Sequence, residues 1–451
     1  MNIQQFKDRV FEVGRSAGLE DMEVYVSQSK EFSVRIFKTE IDDYSVSSVQ
    51  GVGFRASYKG KVGYAYAEVL DETSVDLLVS SAKANAEVID SKDEIVFFPG
   101  SPSYPEVTAY NDELSSVSPE ERIEFARELE ARALAADSRV DLVNWAMTGY
   151  EESEIYIANT KGLEQSFVRN GGVSYVSAVV RDGEQVKTGS RFQFGNDWSK
   201  FDAEKLAQAA VNEGVSLLNA DTVPSGEYRV MLRYDAARDM VQTFSSVFSG
   251  EAVQKGLSLL AGKLGQKIAS SKVTLVDDPL MPNGGASIPF DGEGVASKTK
   301  KVIDQGQLTT YLHNLKTAKK DGVESTGNAS RASFKSPVGI SPTNFYIKPG
   351  ETSYEDLLKE LDDGLVIIDV QGLHSGANPV SGDFSLGAYG YLVEGGQIVR
   401  PVDQITVAGN FFRMIEDIEV IGSDLEFGIP GYGGNVGSPS LIVRSLSIAG
   451  K

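Results

Sequence analysis

The residues able to do chemistry are few. Two histidines, His313 and His374, and no cysteine stand in a chain of 451 residues. Without thiols there are no disulfides, thiolate metal ligands or cysteine nucleophiles. A zinc peptidase helix carries two imidazoles and a glutamate together, because zinc takes nitrogen donors and its bound water needs a base. Two histidines in separate segments cannot make that motif. His374 lies in "QGLHSGANPVSGDFSLGAYGYLVEGGQIVRP", beside Ser375 and ahead of Asp383. Neighbours along an extended chain point to opposite faces, and no Gly-x-Ser-x-Gly elbow is present, so a serine nucleophile there is disfavoured. His313, in "TTYLHNLKTAKKDG", reads as a polar surface or hydrogen-bonded residue. Asp277, Asp278, Asp291 and Glu293 could hold a hard cation, yet "DDP" and "DGEG" lack the oxygen spacing of a calcium loop and read as solvated acidic loops. No P-loop occurs, and "GYGGNVG" offers Val436 where a dinucleotide fingerprint needs glycine.

The charge excludes further classes. Lys and Arg number 43 against 64 Asp and Glu, a net charge of -21. Such a surface repels phosphate backbones, so nucleic acid is not expected as a direct ligand. No run approaches the roughly 20 apolar residues needed to cross a bilayer. The opening "MNIQQFKDRVFEVGRSAGLE" puts Phe6, Val10, Val13 and Ala17 on one helical stripe rather than in a signal peptide's continuous apolar centre. The cytoplasm is the expected location.

The elements that must position these residues come in a rhythm. Alternating β-branched and aromatic residues over "EVYVSQSKEFSVRIFKTEIDDYSVSSVQGVGFRASYKGKVGYAYAEV" predict strands, followed by a helix carrying Val75, Leu78, Val79 and Ala82 behind the cap candidates Asp71 and Thr73. The same order restarts near residue 140 and closes with "DAEKLAQAAVNEGVSLL". Between the copies, "SPEERIEFARELEARALAA" predicts a helix capped by Ser118 with Pro119 at its first position. Two strand-then-helix units therefore form an N-terminal α+β domain, residues 1–222, with the boundary near Pro224, Ser225 and Gly226. Residues 223–451 predict a β-rich domain with a curled or barrel-like sheet. It contains one marked helix after "YRVMLR", with Met240, Val241, Phe244, Val247 and Phe248 inward, Asp235 as cap and Gly250 as stop. The whole is α+β.

Long blocks in this second half, "DDPLMPNGGASIPFDGEGVASKTKKVIDQGQLTTYLHNLKTAKKDGVESTGNASR", "HSGANPVSGDFSLGAYGYLVEGGQIVRPVDQITVAGNFF" and "IGSDLEF" followed by "GSPSLIV", resemble the TldD/PmbA family, the modulators of DNA gyrase. In the TldD branch a helix bears His-Glu-x-x-x-His and a glycine-rich C-terminal segment supplies a cysteine, and these hold a catalytic metal. The resemblance places the motif here at about Gln242, Thr243 and Val247, none of which replaces imidazole, and "GIPGYGGNVGSP" has no cysteine. The chain is similar to the PmbA, or TldE, branch. That implies no cofactor in this chain and a metal, zinc by expectation, in a TldD-like partner. It further implies a complex that cleaves unfolded or extended peptides, in peptide maturation or antitoxin removal, and a homodimer when the partner is absent. Extended peptides can add to a sheet edge through backbone hydrogen bonds. His374, Asn378 and Asp383 are then candidate peptide contacts, with framework as the plainer role, since "NPVSGD" is turn punctuation. Two alternatives stand beside this reading: an independent hydrolase using carboxylates or His374, and a peptide-binding regulatory module.

Overall fold

The structure, a computed structural model, describes residues 1–89, 96–431 and 433–451. Helix α1 (Ile3–Ser16) starts at Asn2, which shares a capping box with Gln5; of the predicted stripe it buries Phe6 and Val10, with Val13 and Ala17 half-buried, and Phe11 is buried beside them. Strands β1 (Met22–Phe37), β2 (Glu40–Tyr58) and β3 (Lys61–Ala67) form an antiparallel meander, and α2 (Glu72–Val88) follows with Asp71 as its cap. Helix α3 (Pro119–Ala136) opens on a capping box between Ser118 and Glu121. The second copy is β4 (Val140–Asn159), β5 (Glu164–Asp182), β6 (Gln185–Gly195) and α4 (Ala203–Ser216). Because β1 pairs antiparallel with β4, the two meanders make one six-stranded sheet in the order β3-β2-β1-β4-β5-β6. The two strand-then-helix units are thus present as the rhythm predicts.

Their kinship is clearest where a helix meets a strand. A Cβ added at Gly63 of β3 would stand 1.8 Å from the Ala82 carbonyl oxygen of α2, and one at Gly189 of β6 would stand 2.0 Å from the Ala210 carbonyl oxygen of α4. Both helices approach their strand so closely that only glycine fits.

In the second half, β7 (Gly226–Leu232) leads directly into α5 (Tyr234–Phe244). Strands β8 (Gly364–Gln371), β9 (Asp383–Glu394), β10 (Gln397–Asn410) and β11 (Leu441–Ala449) complete a ring with β7 in the order β10-β9-β8-β7-β11, and β11 pairs back onto β10. That closure makes a five-stranded barrel without free edges. Alternate residues divide between two cores, as the period of a strand demands. Val230, Leu232, Leu365 and Ile367 face the main one, while Met231, Val366 and Ile368 pack outward on Leu357 and Leu361. Six short strands from Leu275–Asp277 to Asn435–Ser438, with Glu426–Phe427 at one edge, form a curled half-barrel alongside. Helix α5 lies against both, with Met240, Val241 and Phe244 buried and the Phe244 ring stacked on Phe411 at 4.5 Å. No helix among the described residues is long and apolar enough to cross a membrane.

Four local expectations are corrected. Asp235 does not cap α5: the cap position is Arg233, and Asp235 instead accepts from its guanidinium at 2.8 and 3.0 Å. Gly250 does not stop that helix, which ends at Phe244 and runs on as a tighter 3₁₀ turn to Phe248. Gly250 instead opens the next short helix, where a Cβ would collide with the His313 ring. His313 is hydrogen-bonded but not on the surface: it is buried, its Nδ1 3.1 Å from Thr317 Oγ1. Asp277, Asp291 and Glu293 are buried rather than solvated, since each carboxylate has found donors inside the protein.

Of these, Glu293 helps to join the halves. Arg55 of β2 grips Glu23 of β1 with two hydrogen bonds, 2.8 and 3.0 Å, and Arg331 from the second half donates to the same Glu23 at 2.6 Å. Glu293 lies 3.6 Å from Arg55 and accepts the Leu315 N–H at 2.8 Å. Asp291 accepts backbone N–H groups of Glu293, Val295 and Ala329. Burial, and then repulsion by Glu293, raises the Asp291 pKa; burial likewise raises that of Glu293.

Gly63→Ala and Gly189→Ala are each expected to lower stability by about 1–3 kcal/mol, while Gly195→Ala, where an added Cβ meets nothing within 4 Å, stays near neutral; chemical denaturation reads all three. Arg331→Ala leaves buried carboxylates short of a cation and is expected to lower stability by about 3–5 kcal/mol in the same assay.

Candidate functional site

A groove separates the six-stranded sheet from the second half of the chain. Glu31, Arg169, Ala286 and Gly431 line both its first and middle chambers, and Phe194 and Gly285 line both the middle and the last, so the three are continuous. The last chamber encloses about 690 Å³ and holds most of the ionisable groups.

Each wall of that chamber is placed by an element already described. The buried stripe of α5 turns Arg238 and Asp239 toward the groove. β7 ends at Arg233's doorstep, β8 brings Asp369, β9 brings Tyr389, α4 brings Glu213 and β6 brings Arg191. The edge strand Glu426–Phe427 closes the side, its outer backbone edge unpaired in the sheet.

Electrostatics divides the chamber in two. On one side Arg191 and Arg233 both donate to Glu213 Oε2 at 2.6 Å, and Arg233 also holds Asp235. Burial alone would raise the Glu213 pKa, but the two guanidinia outweigh it and the net shift is downward. On the other side the carboxylates are under-supplied with cations. Burial, with Asp239 and Asp235 nearby, pushes Asp369 up to about 6. Burial also raises Asp239, in spite of Arg238 at 3.0 Å, and raises Glu426 and the Tyr389 hydroxyl. The chamber thus offers fixed guanidinium donors beside carboxyl groups whose pKa values burial raises, Asp369 to about 6.

The sequence-predicted residues do not converge on it. Gln242 is exposed on α5, the Thr243 hydroxyl donates back to the Asp239 carbonyl at 2.7 Å, and Val247 lies in the main core. Asn378 and Asp383 brace one turn: Asn378 Oδ1 accepts from Val380 N–H at 3.0 Å, Asn378 N–H donates to the Asp383 carbonyl, and Asp383 Oδ1 accepts from Asn410 Nδ2 at 2.8 Å. Asn410 and Ser381 hold the Asp383 pKa below its usual range. His374 is exposed on the short helix Leu373–Gly376, and the neighbouring Ser375 hydroxyl donates to Gly372, so no Ser-His-Asp array forms.

The donor set of the described residues does not fit a catalytic metal. Among the described residues no group of three His, Asp or Glu is placed to hold one. The helix and the glycine-rich segment do meet, but through the Arg238 side chain, which packs 3.2 Å from where a Gly428 Cβ would be. Position 432 of that segment lies outside the described residues.

Arg233, Glu213, Asp369, Tyr389 and Glu426 were not singled out from the sequence. One signal was available: Asp369 is the single charge in the apolar strand "GLVIIDVQ".

Comparison with known proteins covers nearly the whole chain. The signatures described as PmbA/TldA metallopeptidase domain 1, central domain and C-terminal domain match residues 22–86, 112–218 and 225–450. A crystal structure from Thermotoga maritima, described as a proposed modulator of a DNA gyrase, is 35% identical, with a TM-score of 0.91 over 99% of this chain and 100% of that one. TldE from Thermococcus kodakarensis also has a TM-score of 0.91, over 99% and 100% of the two chains; at 24% identity it bears on the fold alone. The Metalloprotease PmbA homolog of Haemophilus influenzae is 25% identical over 99% of this chain and 96% of its own.

A carboxyl whose folded pKa is raised loses stability contribution as it ionises. Asp369→Asn should therefore match the parent below pH 4 and exceed it above about pH 6, by roughly 1–2 kcal/mol after solvent screening. Denaturation at pH 4 and pH 8 checks the sign.

Proposed function

The chain belongs to the TldD/PmbA family, the PmbA/TldA metallopeptidases, and on that premise we propose that it is a PmbA/TldE-like subunit without a catalytic metal, which shapes a peptide channel for a TldD-like metallopeptidase partner. The observation that carries this reading is α5. It occupies the place expected of a metal-binding helix, yet it presents Arg238, Asp239 and Gln242 to the groove side and solvent, and no imidazole. The metal, with zinc expected, belongs to the partner in this reading, and two copies pair when the partner is absent. Residues 1–222 and 223–451 serve as the two domains, and the complex acts in the cytoplasm.

The groove's walls support the substrate class of this reading. The free edge of Glu426–Phe427 supports strand addition by an extended peptide, and the carboxylates Asp239, Asp369 and Glu426 favour basic side chains. Unfolded or extended polypeptides fit such a channel; a folded protein does not. Asn378 and Asp383 brace the turn that follows the short helix carrying His374, and none of the three lines the groove, so framework is their role in this reading.

A second reading, a hydrolase acting alone through carboxylates, draws on Asp369 held at about 6 beside Tyr389. The two readings separate in one experiment: metal analysis and cleavage of an unstructured basic peptide, with the chain alone and mixed with a TldD-like partner. Cleavage only in the mixture, with the metal in the partner, is expected. Stoichiometric tightly bound zinc and cleavage by the lone chain would overturn the proposal, and metal-free cleavage abolished by Asp369→Asn would favour the second reading.

A further inference from the structure

Three buried polar side chains of the half-barrel touch one another. Asp277, on Leu275–Asp277, is fully buried, Asn328 is 1% exposed, and the Lys300 side chain, at the head of Lys300–Asp304, is 9% exposed. Lys300 Nζ stands 2.7 Å from Asp277 Oδ2 and 3.1 Å from Asn328 Oδ1. The same Asp277 oxygen accepts Asn328 Nδ2–H at 2.7 Å, so one carboxylate oxygen bridges an amine and an amide that already touch. Its other oxygen accepts the Thr343 N–H at 2.6 Å and hydroxyl at 2.7 Å, which fix its orientation. On the far side of the amide, Thr326 Oγ1 lies 2.8 Å from Asn328 Oδ1, and Ser341 O accepts the second Nδ2 hydrogen at 3.1 Å.

We propose that this cluster is a self-modification site, at which Lys300 Nζ and Asn328 Cγ condense into an isopeptide bond with Asp277 as the proton carrier. The geometry supplies what the uncatalysed reaction lacks: an amine 3.1 Å from the oxygen of the amide it would attack, a carboxylate in contact with both nitrogens, and a hydroxyl beside the carbonyl oxygen.

The freed lone pair of Nζ attacks Asn328 Cγ, giving a tetrahedral adduct whose oxygen faces Thr326 Oγ1. The Cγ–Nδ2 bond then breaks as Asp277 returns its proton to Nδ2 and the attacking nitrogen gives up a second one. Nitrogen departs as ammonium, Asp277 ends ionised, and the new amide keeps one N–H facing it. No oxidant, cofactor or added reactant enters. Asn328 and Thr343 line the first chamber of the groove, which gives the ammonium an exit. The product ties a strand of the half-barrel to the loop that forms the chamber wall, stiffening it covalently.

Intact-mass spectrometry of the denatured full-length chain, followed by proteolysis, tests this. The expected result is a mass below the sequence value by one ammonia, together with a branched peptide joining Lys300 and Asn328. Asp277→Asn and Lys300→Arg should each return the full sequence mass. A wild-type chain at its full sequence mass after prolonged incubation overturns the proposal. So does an ammonia deficit that maps within one linear peptide, such as a succinimide at Asn283–Gly284. A cross-link that persists in Asp277→Asn overturns the role given to that carboxylate.

Discussion

The groove exists because of one carboxylate, Glu23, held between two guanidinia from different halves of the chain. Arg55 reaches it along the sheet and Arg331 reaches it from the half-barrel. A charge buried this deeply is tolerated only when partnered on every side, so the two halves cannot drift apart without leaving an unpaired ion in an apolar setting. The cation faces of Arg55 and Arg331 are themselves covered by the Phe97 and Tyr25 rings. This arrangement sets the distance between the sheet and the half-barrel, and the cleft left between them is the groove.

The sheet contributes length and the barrel contributes rigidity. Joining two meanders through β1 and β4 yields long strands whose face forms one wall, and the close seating of α2 on Gly63 and α4 on Gly189 keeps that wall flat against its helices. The five-stranded ring opposite has no free edge, so the free edge of Glu426–Phe427 on the neighbouring half-barrel is what the chamber offers a peptide backbone. In the proposed division of chemistry, the groups lining the cleft recognise a peptide and the hydrolytic centre is borrowed from a partner chain.

How much of this was legible depends on the range of the interaction. The caps at Asp71 and Ser118 and the apolar stripe of α5 are contacts within a few residues, and the sequence shows them directly. Asp235 was misassigned because a capping role is local, whereas its partner Arg233 is also pulled by Glu213 from another element. Asp277, Asp291 and Glu293 look like solvated loop acids for the same reason, since their donors Lys300, Ala329 and Arg55 arrive from elsewhere in the chain.

By itself, then, the sequence determined the composition of the possible chemistry: no thiol, two separated imidazoles, an acidic surface, two repeated strand-then-helix units and a β-rich second half. Those are matters of residue type and short-range periodicity. The tertiary structure decided which charges are buried, that β11 closes onto β10, and that Arg191, Arg233, Asp239, Asp369 and Glu426 face one chamber. Burial and convergence are properties of residues distant in the chain, and the energies that govern them, desolvation and pairing of charge, have no value until the chain is folded.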